Sequence, residues 1–197
     1  MKKTTLTTGI VTLSIAATVI MYAISSGDNN PEQPKPMTQE EKIKRGEYLV
    51  NAVGCDDCHS PKKMGAQGPE IISELRFSGS PSTAQLPSVN TGEIKKGWMM
   101  FAPDLTSAVG PWGQSYAANI SSDATGIGNW KEEQFLKALR EGKYKGLDNT
   151  RPLLPPMPWF VYKNFSDDDL KSIFAYLKST KPVHNVVAAP KPFSELK

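Results

Sequence analysis

Two cysteines and a histidine share one short stretch of the chain. It reads Gly54-Cys-Asp-Asp-Cys-His59, and Cys55 and Cys58 are the only cysteines among 197 residues. In the pattern Cys-x-x-Cys-His, the two thiols can add to the vinyl groups of a haem, and the histidine that follows can bind the iron. The spacing therefore predicts one covalent haem c, with thioether bonds at Cys55 and Cys58 and His59 as an axial ligand.

Two other chemistries use closely spaced cysteines. A structural zinc site needs four ligands, and beyond the motif the chain offers only the distant His184 as a further histidine. A thiol–disulfide redox pair lies in a βαβ pattern with its first cysteine at the start of a helix. Here a helix-like stretch precedes Cys55 instead, so we favour haem attachment over both alternatives.

The chemistry of such a haem depends on the ligand opposite His59. The candidates are Met64, Met99, Met100, Met157 and His184. Met64 is too close to His59 along the chain to reach the opposite side, and Met99 and Met100 lie in an apolar run typical of local packing. Met157 lies between prolines that restrict the backbone. We therefore predict Met157 as the sixth ligand, and His/Met ligation favours electron transfer.

Arg151 lies close to Met157 along the chain. A guanidinium group suits carboxylates, so Arg151 is a candidate to pair with a haem propionate. An ordinary surface arginine is the alternative.

Three segments with helical periodicity must position these residues. The first segment runs to Gly54, and Thr38 and Glu41 form a predicted capping box at its start. Gly46, within this segment, is a candidate site for close crossing by another helix. The second runs from Trp130 to Gly142, with Asn129 as a possible cap. The third begins after Ser166, ends near Lys181-Pro182, and carries Tyr176 as a candidate partner for Gly46.

Residues 76–129 are the least regular part of the chain, rich in Ser, Gly and Pro. We expect a partly ordered insertion, with a short hairpin, that packs over the haem edge. Its predicted anchors are Trp98, Phe101, Trp112 and Tyr116. The chain after Pro182 lacks a periodic pattern and is expected to wrap loosely, with residues 191–197 as a tail.

The N-terminus reads as an export signal. Met1-Lys-Lys3 is followed by 19 uncharged residues from Leu6 to Ile24, longer than a typical signal-peptide core and close to a bilayer span. We predict that residues 1–27 are a retained signal anchor, with a cleaved signal peptide as the alternative. A proline-rich linker, residues 28–37, would separate it from one domain at residues 38–190. This domain is expected on the periplasmic side, anchored to the membrane.

The overall composition excludes few classes of function. The net charge is +3, and acidic and basic residues are interspersed, as on a solvated surface. Nothing in this pattern supports nucleic-acid binding.

Several stretches together resemble class I c-type cytochromes, and more narrowly the membrane-associated cytochrome c subunits of periplasmic dehydrogenases. Besides the Cys-x-x-Cys-His motif, they are Arg45-Gly-Glu-Tyr-Leu-Val50, Gly110-Pro-Trp-Gly113, Ala118-Asn-Ile120, Thr125-Gly-Ile-Gly-Asn-Trp130, Phe135-x-x-Ala-Leu-Arg-Glu-Gly142, Leu154-Pro-Pro-Met-Pro-Trp159 and Asp167-Asp-Asp-Leu-Lys-x-Ile-Phe-Ala-Tyr-Leu-Lys178. One haem motif is present, where many such subunits carry two or three.

The resemblance implies an all-α, cytochrome c-like helical domain wrapped round one haem. It also implies the roles given above to Cys55, Cys58, His59 and Met157. In class I cytochromes a Gly-Pro after the motif supplies the carbonyl that accepts the Nδ1 proton of the haem histidine, and Gly68-Pro69 resembles it. An ordinary turn is the alternative there.

We therefore predict a single-electron carrier rather than an enzyme. Its partners would be a protein donor and a protein acceptor that dock at the exposed haem edge, and the membrane if residues 1–27 are uncleaved. Lys62, Lys63, Lys145 and Lys163 could form a docking rim, or be ordinary solvated lysines. The alternative function is a haem enzyme, a peroxidase or small-anion oxidoreductase, with a displaceable sixth ligand.

Overall fold

The computed structural model describes residues 35–196. Its helices are α1 (Gln39–Ala52), α2 (Cys55–His59), α3 (Thr91–Lys95), α4 (Glu132–Glu141), α5 (Trp159–Tyr162) and α6 (Asp167–Ser179). Its strands are β1 (Lys62–Gly65), β2 (Gly68–Ile71), β3 (Met100–Phe101), β4 (Ser107–Gly110) and β5 (Gly113–Tyr116). Short 3-10 helices lie at Ser73–Leu75, Tyr144–Gly146 and Phe193–Glu195.

The start of α1 confirms the predicted capping box. The Thr38 hydroxyl accepts a hydrogen bond from the Glu41 N–H, and the Glu41 carboxylate accepts one from the Thr38 N–H. These two bonds satisfy backbone donors that the first helical turn leaves unpaired. α1 therefore begins where its sequence indicates.

The ends of α4 agree only in part with the sequence. The N-cap is Lys131, whose N–H donates to the Gln134 side chain. The expected cap at Asn129 was therefore wrong. Gly142 ends the helix with a φ of 64°, a left-handed conformation that glycine adopts without steric cost.

α1 and α6 cross at Gly46, as predicted. A Cβ atom at Gly46 would lie 1.9 Å from the Ser172 carbonyl oxygen and 2.8 Å from the Tyr176 Cβ. The buried core next to this crossing contains Leu49, Val50, Phe77, Ile127, Phe135, Leu139, Leu170, Ile173, Phe174 and Leu177. The helices can thus approach closely because residue 46 has no side chain.

The expected all-α class was wrong. The structure has 37% helix and 13% strand. β1 and β2 form an antiparallel hairpin, and β3, β4 and β5 form an antiparallel sheet in that order. The short hairpin that we expected within residues 76–129 is present as β4 and β5. Strands of 2 or 4 residues are too short to give a clear alternation of polar and apolar residues, so the sequence pattern did not reveal β1, β2 and β3.

The three-stranded sheet lies within the predicted insertion at residues 76–129. Trp98 and Phe101 are 66% and 44% exposed, so they are not the anchors that we expected. Trp112 does pack inward at the β4–β5 turn, where a Cβ on Gly110 would lie 2.2 Å from its ring.

The chain after α6 is held by hydrogen bonds, in contrast to the loose path expected. The Asn185 side chain donates to the carbonyls of Ser78 and Ser80, both at 2.8 Å. Gln114 and Lys191 exchange two backbone hydrogen bonds, at 2.8 and 3.0 Å. These contacts join the C-terminal segment to the insertion.

No helix between residues 35 and 196 has the length and apolar character needed to cross a bilayer. The predicted signal anchor or signal peptide, residues 1–27, lies outside the described residues. Most of the predicted linker, residues 28–37, lies outside them as well.

Candidate functional site

One cavity of about 350 Å³ brings together Cys55, Cys58, His59 and Met157. Arg151 lines it too. Most of its wall is apolar, with contributions from Ile120, Ile127, Trp130, Phe135, Leu139 and Ile173. The structure thus brings the haem motif and the Met157 segment, which are about 100 residues apart in the chain, to the same cavity.

α2 presents the two cysteines, three residues apart, on one face of a short helix. Its C-terminal end is capped by Lys62, whose Nζ donates to the carbonyls of Asp56 at 3.0 Å, Asp57 at 2.7 Å and Ser60 at 2.9 Å. A cation at this end satisfies carbonyls that the last helical turn leaves free. Lys62 is therefore a structural residue of the motif helix rather than a free docking lysine.

Asp56, inside the motif, is fixed by Arg76. The guanidinium donates to the Asp56 carboxylate from Nη2 at 2.6 Å and from Nε at 3.0 Å. The same guanidinium donates to the Asn51 side chain at 2.8 Å and lies 4.5 Å from the centre of the Phe77 ring. A two-pronged ion pair of this kind fixes orientation as well as distance. Arg76 thus connects α2 to α1 and to the start of the insertion.

The imidazole of His59 lies against a backbone carbonyl from the insertion. Its Nδ1 is 2.7 Å from the Ala118 oxygen. A carbonyl oxygen only accepts hydrogen bonds, so Nδ1 carries the proton and Nε2 keeps a free lone pair. This is the arrangement in which a histidine binds a metal through Nε2, with a neighbouring group fixing the ring.

The acceptor predicted at Gly68-Pro69 was therefore wrong. Pro69 lies on β2, opposite Met64, and is not among the residues that line the cavity. Ala118 performs the role instead. A backbone carbonyl can come from any residue type, so the sequence carried no signal that distinguished Ala118.

The Ala118 carbonyl is held in place from two sides. Gly79, with a φ of 74°, packs so closely that a Cβ there would lie 2.5 Å from the Ala118 carbonyl carbon. On the other side, the Asn119 side chain donates to the Val183 carbonyl at 2.8 Å and accepts from the Ser121 N–H at 3.0 Å. The partner of His59 is thus fixed by both the insertion and the C-terminal segment.

The two thiols and the imidazole of the motif favour their neutral forms. Burial raises the pKa of the Cys55 thiol to about 12 and also raises the pKa of Cys58. Burial lowers the pKa of His59. Reactive thiols of redox pairs have lowered pKa values, so these thiols do not fit a thiol–disulfide enzyme. The imidazole is neutral, as a metal ligand must be.

Met157 reaches the cavity from a segment that is fixed at both ends. On one side the Leu153 N–H donates to the Gly142 carbonyl at 2.7 Å. On the other, the Trp159 ring packs on Gly142, where a Cβ would lie 2.4 Å from the ring. The intervening prolines leave the segment little freedom. The side chain of Met157 is therefore carried on a backbone of restricted conformation.

The competing ligands lie elsewhere. Met64 is 74% exposed and Met99 is 51% exposed. His184 has a side chain that is 77% exposed, 3.6 Å from Asp123. Among residues 35–196, Met157 is the one methionine that lines the cavity, and His184 does not line it. The same part of the chain holds no group of three His, Cys, Asp or Glu side chains placed to bind one ion, so a zinc site is not assembled there.

Arg151 lies at the exposed side of the cavity wall. Its guanidinium is 4.1 Å from the centre of the Tyr144 ring and donates to the Pro152 carbonyl at 3.0 Å. Lys145, also exposed, lines the cavity beside it. Lys63 and Lys163, the other candidates for a docking rim, do not line the cavity.

The residues present fit a haem. Two neutral thiols, an imidazole with a free Nε2 and a thioether face one largely apolar space. Sulfur and imidazole are ligands that haem iron accepts, and the apolar walls suit the porphyrin ring.

The comparison with known proteins agrees with this geometry. The model of the cytochrome c family matches residues 43–181. The fructose dehydrogenase cytochrome subunit of Gluconobacter japonicus is 30% identical over 91% of this chain, which corresponds to 29% of that protein. The gluconate 2-dehydrogenase cytochrome c subunit of Pantoea cypripedii is 33% identical over 68% of this chain and 22% of that protein.

A third relative is the cytochrome c subunit of alcohol dehydrogenase (quinone) from Gluconobacter oxydans (strain 621H). It is 29% identical over 86% of this chain and 27% of its own length. The chain thus spans less than a third of each of these relatives. With a family match that covers most of the domain and a cavity that assembles its haem-binding groups, the chain belongs to the cytochrome c family, as an electron-transfer protein with covalently bound haem c.

Proposed function

We propose that this protein carries single electrons with a haem iron held between His59 and Met157. The observation that supports this most strongly is the shared cavity, which both side chains line together with Cys55 and Cys58. A haem bound there supplies a reversible one-electron couple, whose potential His/Met ligation raises. Cys55 and Cys58 would attach it covalently.

The residues around the cavity have properties that suit electron transfer. The His59 Nδ1–H is donated to Ala118, which makes the imidazole a better donor through Nε2. The described residues that line the cavity include no acidic side chain. An apolar wall excludes water and so limits solvent reorganisation when the charge of the site changes. Both axial positions would be filled, which suits electron transfer rather than substrate binding.

Electrons would enter and leave where the cavity wall reaches the surface. Leu105 and Val186 line the cavity and are 39% and 64% exposed. Lys145 and Arg151 also line the cavity and are exposed. We propose this surface as the docking edge for a protein donor and a protein acceptor, with Arg151 as the partner of a haem propionate.

The partners belong to this proposal as well. The relatives are named as cytochrome subunits of dehydrogenases, so a dehydrogenase is the proposed electron donor. Residues 1–27 would direct export and hold the domain at the periplasmic face of the membrane.

The test that separates a carrier from an enzyme is ligand binding by the reduced and oxidised holoprotein. A carrier with Met157 bound should take up carbon monoxide and peroxide slowly, and Met157→Ala should take up both rapidly. Met99→Ala, at an exposed methionine outside the cavity, is the matched control and should behave as the wild type. Rapid uptake by the wild type would contradict the proposal and favour a peroxidase or other haem enzyme.

A further inference from the structure

We propose that Ser115 is the residue that positions the Met157 segment, and that strand β5, together with the residues that directly follow it, thereby supports both His59 and Met157. This inference rests on the proposed ligation by Met157. The Ser115 hydroxyl donates to the Pro155 carbonyl at 2.6 Å. Ser115 is 7% exposed and comes 40 residues before Pro155 in the chain.

The prolines of the segment explain why this bond matters. Pro155, Pro156 and Pro158 have no N–H, so the segment offers the rest of the protein mainly carbonyl acceptors. The Met157 N–H is used locally, on the Leu154 carbonyl at 3.2 Å. Among the hydrogen bonds of the described residues, Ser115 to Pro155 is the one that joins residues 154–158 to a distant part of the chain.

The orientation of the Ser115 hydroxyl is set by Trp112. The indole Nε1–H lies 3.2 Å from the Ser115 oxygen, and an indole only donates. The hydroxyl therefore accepts from Trp112 and directs its own proton to a carbonyl. Pro155 at 2.6 Å is a better acceptor than Ala108 at 3.4 Å. The β4–β5 turn thus controls the direction of a bond to the Met157 segment.

The same short stretch of chain supports the opposite ligand. Three residues after Ser115, the Ala118 carbonyl accepts the His59 Nδ1 proton. The Ala117 N–H donates to the Thr106 carbonyl at 2.8 Å, which joins the stretch to the residue just before β4. Ser115, on β5, therefore supports the Met157 segment, and Ala118, two residues beyond the end of β5, supports His59.

Loss of the Ser115 hydroxyl should make Met157 easier to displace, without removing it. The experiment is a titration of the ferric holoprotein with imidazole, read from the near-infrared absorption band that reports methionine sulfur on ferric haem. In Ser115→Ala without imidazole, the band should persist or weaken. Imidazole should bind to this variant about 10-fold more tightly than to the wild type, because one buried hydrogen bond contributes a free energy of that size. Trp112→Phe, which keeps an aromatic side chain but loses the N–H donor, should shift the affinity in the same direction by a smaller factor.

Ser172→Ala is the matched control. Ser172 is also a buried serine whose hydroxyl donates to a carbonyl, Asp168, at 2.6 Å, but it does not line the cavity. Its variant should bind imidazole within about twofold of the wild type.

Two outcomes would overturn the inference, and they are distinguishable. If the wild type has the near-infrared band and Ser115→Ala binds imidazole as the wild type does, Ser115 does not position Met157 and the proposed function stands. If the wild type lacks the band, ligation by Met157 itself fails, and the inference fails with it.

Discussion

The Nδ1 atom of His59 lies 2.7 Å from the carbonyl oxygen of Ala118, a residue 59 positions further along the chain. This contact joins the haem-attachment motif to the insertion at residues 76–129. It fixes the imidazole tautomer and ring orientation. The insertion therefore forms part of the site.

We expect Gly79→Ala to disturb this contact. A Cβ at residue 79 would lie 2.4 Å from the Ala117 oxygen and 2.5 Å from the Ala118 carbonyl carbon, so the carbonyl must move. A weaker hydrogen bond makes His59 a poorer donor to ferric iron, and the reduction potential should rise on the order of tens of millivolts. A redox titration measures it.

Gly97→Ala is the control for Gly79→Ala. Gly97 also has a positive φ, 101°, but a Cβ there would meet nothing within 4 Å. It reproduces the backbone strain without displacing the Ala118 carbonyl. Equal potentials in the two variants would show that the contact with Ala118 does not tune the iron.

We expect Arg76→Met to destabilise the holoprotein by about 2 kcal/mol, because the Asp56 carboxylate, 13% exposed, would lose a charged hydrogen-bond partner. Denaturant unfolding gives this free energy. The control is Lys44→Met, which breaks an exposed ion pair with Glu40 at 3.0 Å and should change stability by less than about 0.5 kcal/mol. Similar values for both variants would mean that Arg76 acts as an ordinary surface charge.

The acid dependence of stability should involve Asp123. Its carboxylate accepts hydrogen bonds from the Thr125 hydroxyl at 2.6 Å and N–H at 2.8 Å, which lowers its pKa below the ordinary value of 3.8. A lowered pKa means that this stabilisation is present above pH 3.8 and is lost as the pH falls further, when the folded form takes up the proton.

The Asp123→Asn variant tests this direction of the pH dependence of stability. The wild type should have the higher melting temperature near neutral pH, and the difference between the two proteins should shrink well below pH 3.8. A difference that stays constant with pH would exclude a contribution from the charge of Asp123.

Gly46→Ala should destabilise the crossing of α1 and α6 by about 3 kcal/mol or more, since its Cβ would lie 1.9 Å from the Ser172 carbonyl oxygen. Gly92→Ala, where the nearest neighbour is the Asn90 side chain at 3.1 Å, should be close to neutral. Thermal unfolding of both variants compares them. A mild effect at Gly46 would show that the helices can separate at little cost.

The sequence predicted the parts of this protein that depend on residue type and period. α1 and α6 have strong caps and apolar faces, and the haem motif is read from three side chains. The prolines that flank Met157 made it the predicted sixth ligand, and the structure places its side chain in the wall of the cavity. These features are local, so a short stretch of sequence contains them.

The rest depends on contacts between distant parts of the chain. The acceptor of the His59 proton is a backbone carbonyl, which Ala118 shares with every other residue. The hydrogen bond from Ser115 to Pro155 likewise joins residues that are 40 positions apart in the chain. The strands β1, β2 and β3 were not predicted for the same reason, since their pairing is set by neighbours rather than by their own pattern.

The most direct test of the account is the near-infrared spectrum of the ferric holoprotein, in the wild type and in Met157→Ala. Met64→Ala, at a methionine that is 74% exposed, is the control. Ligation by Met157 predicts a methionine–iron band in the wild type and in Met64→Ala, and no band in Met157→Ala. A band that persists in Met157→Ala, or that is absent from the wild type, would contradict ligation by Met157.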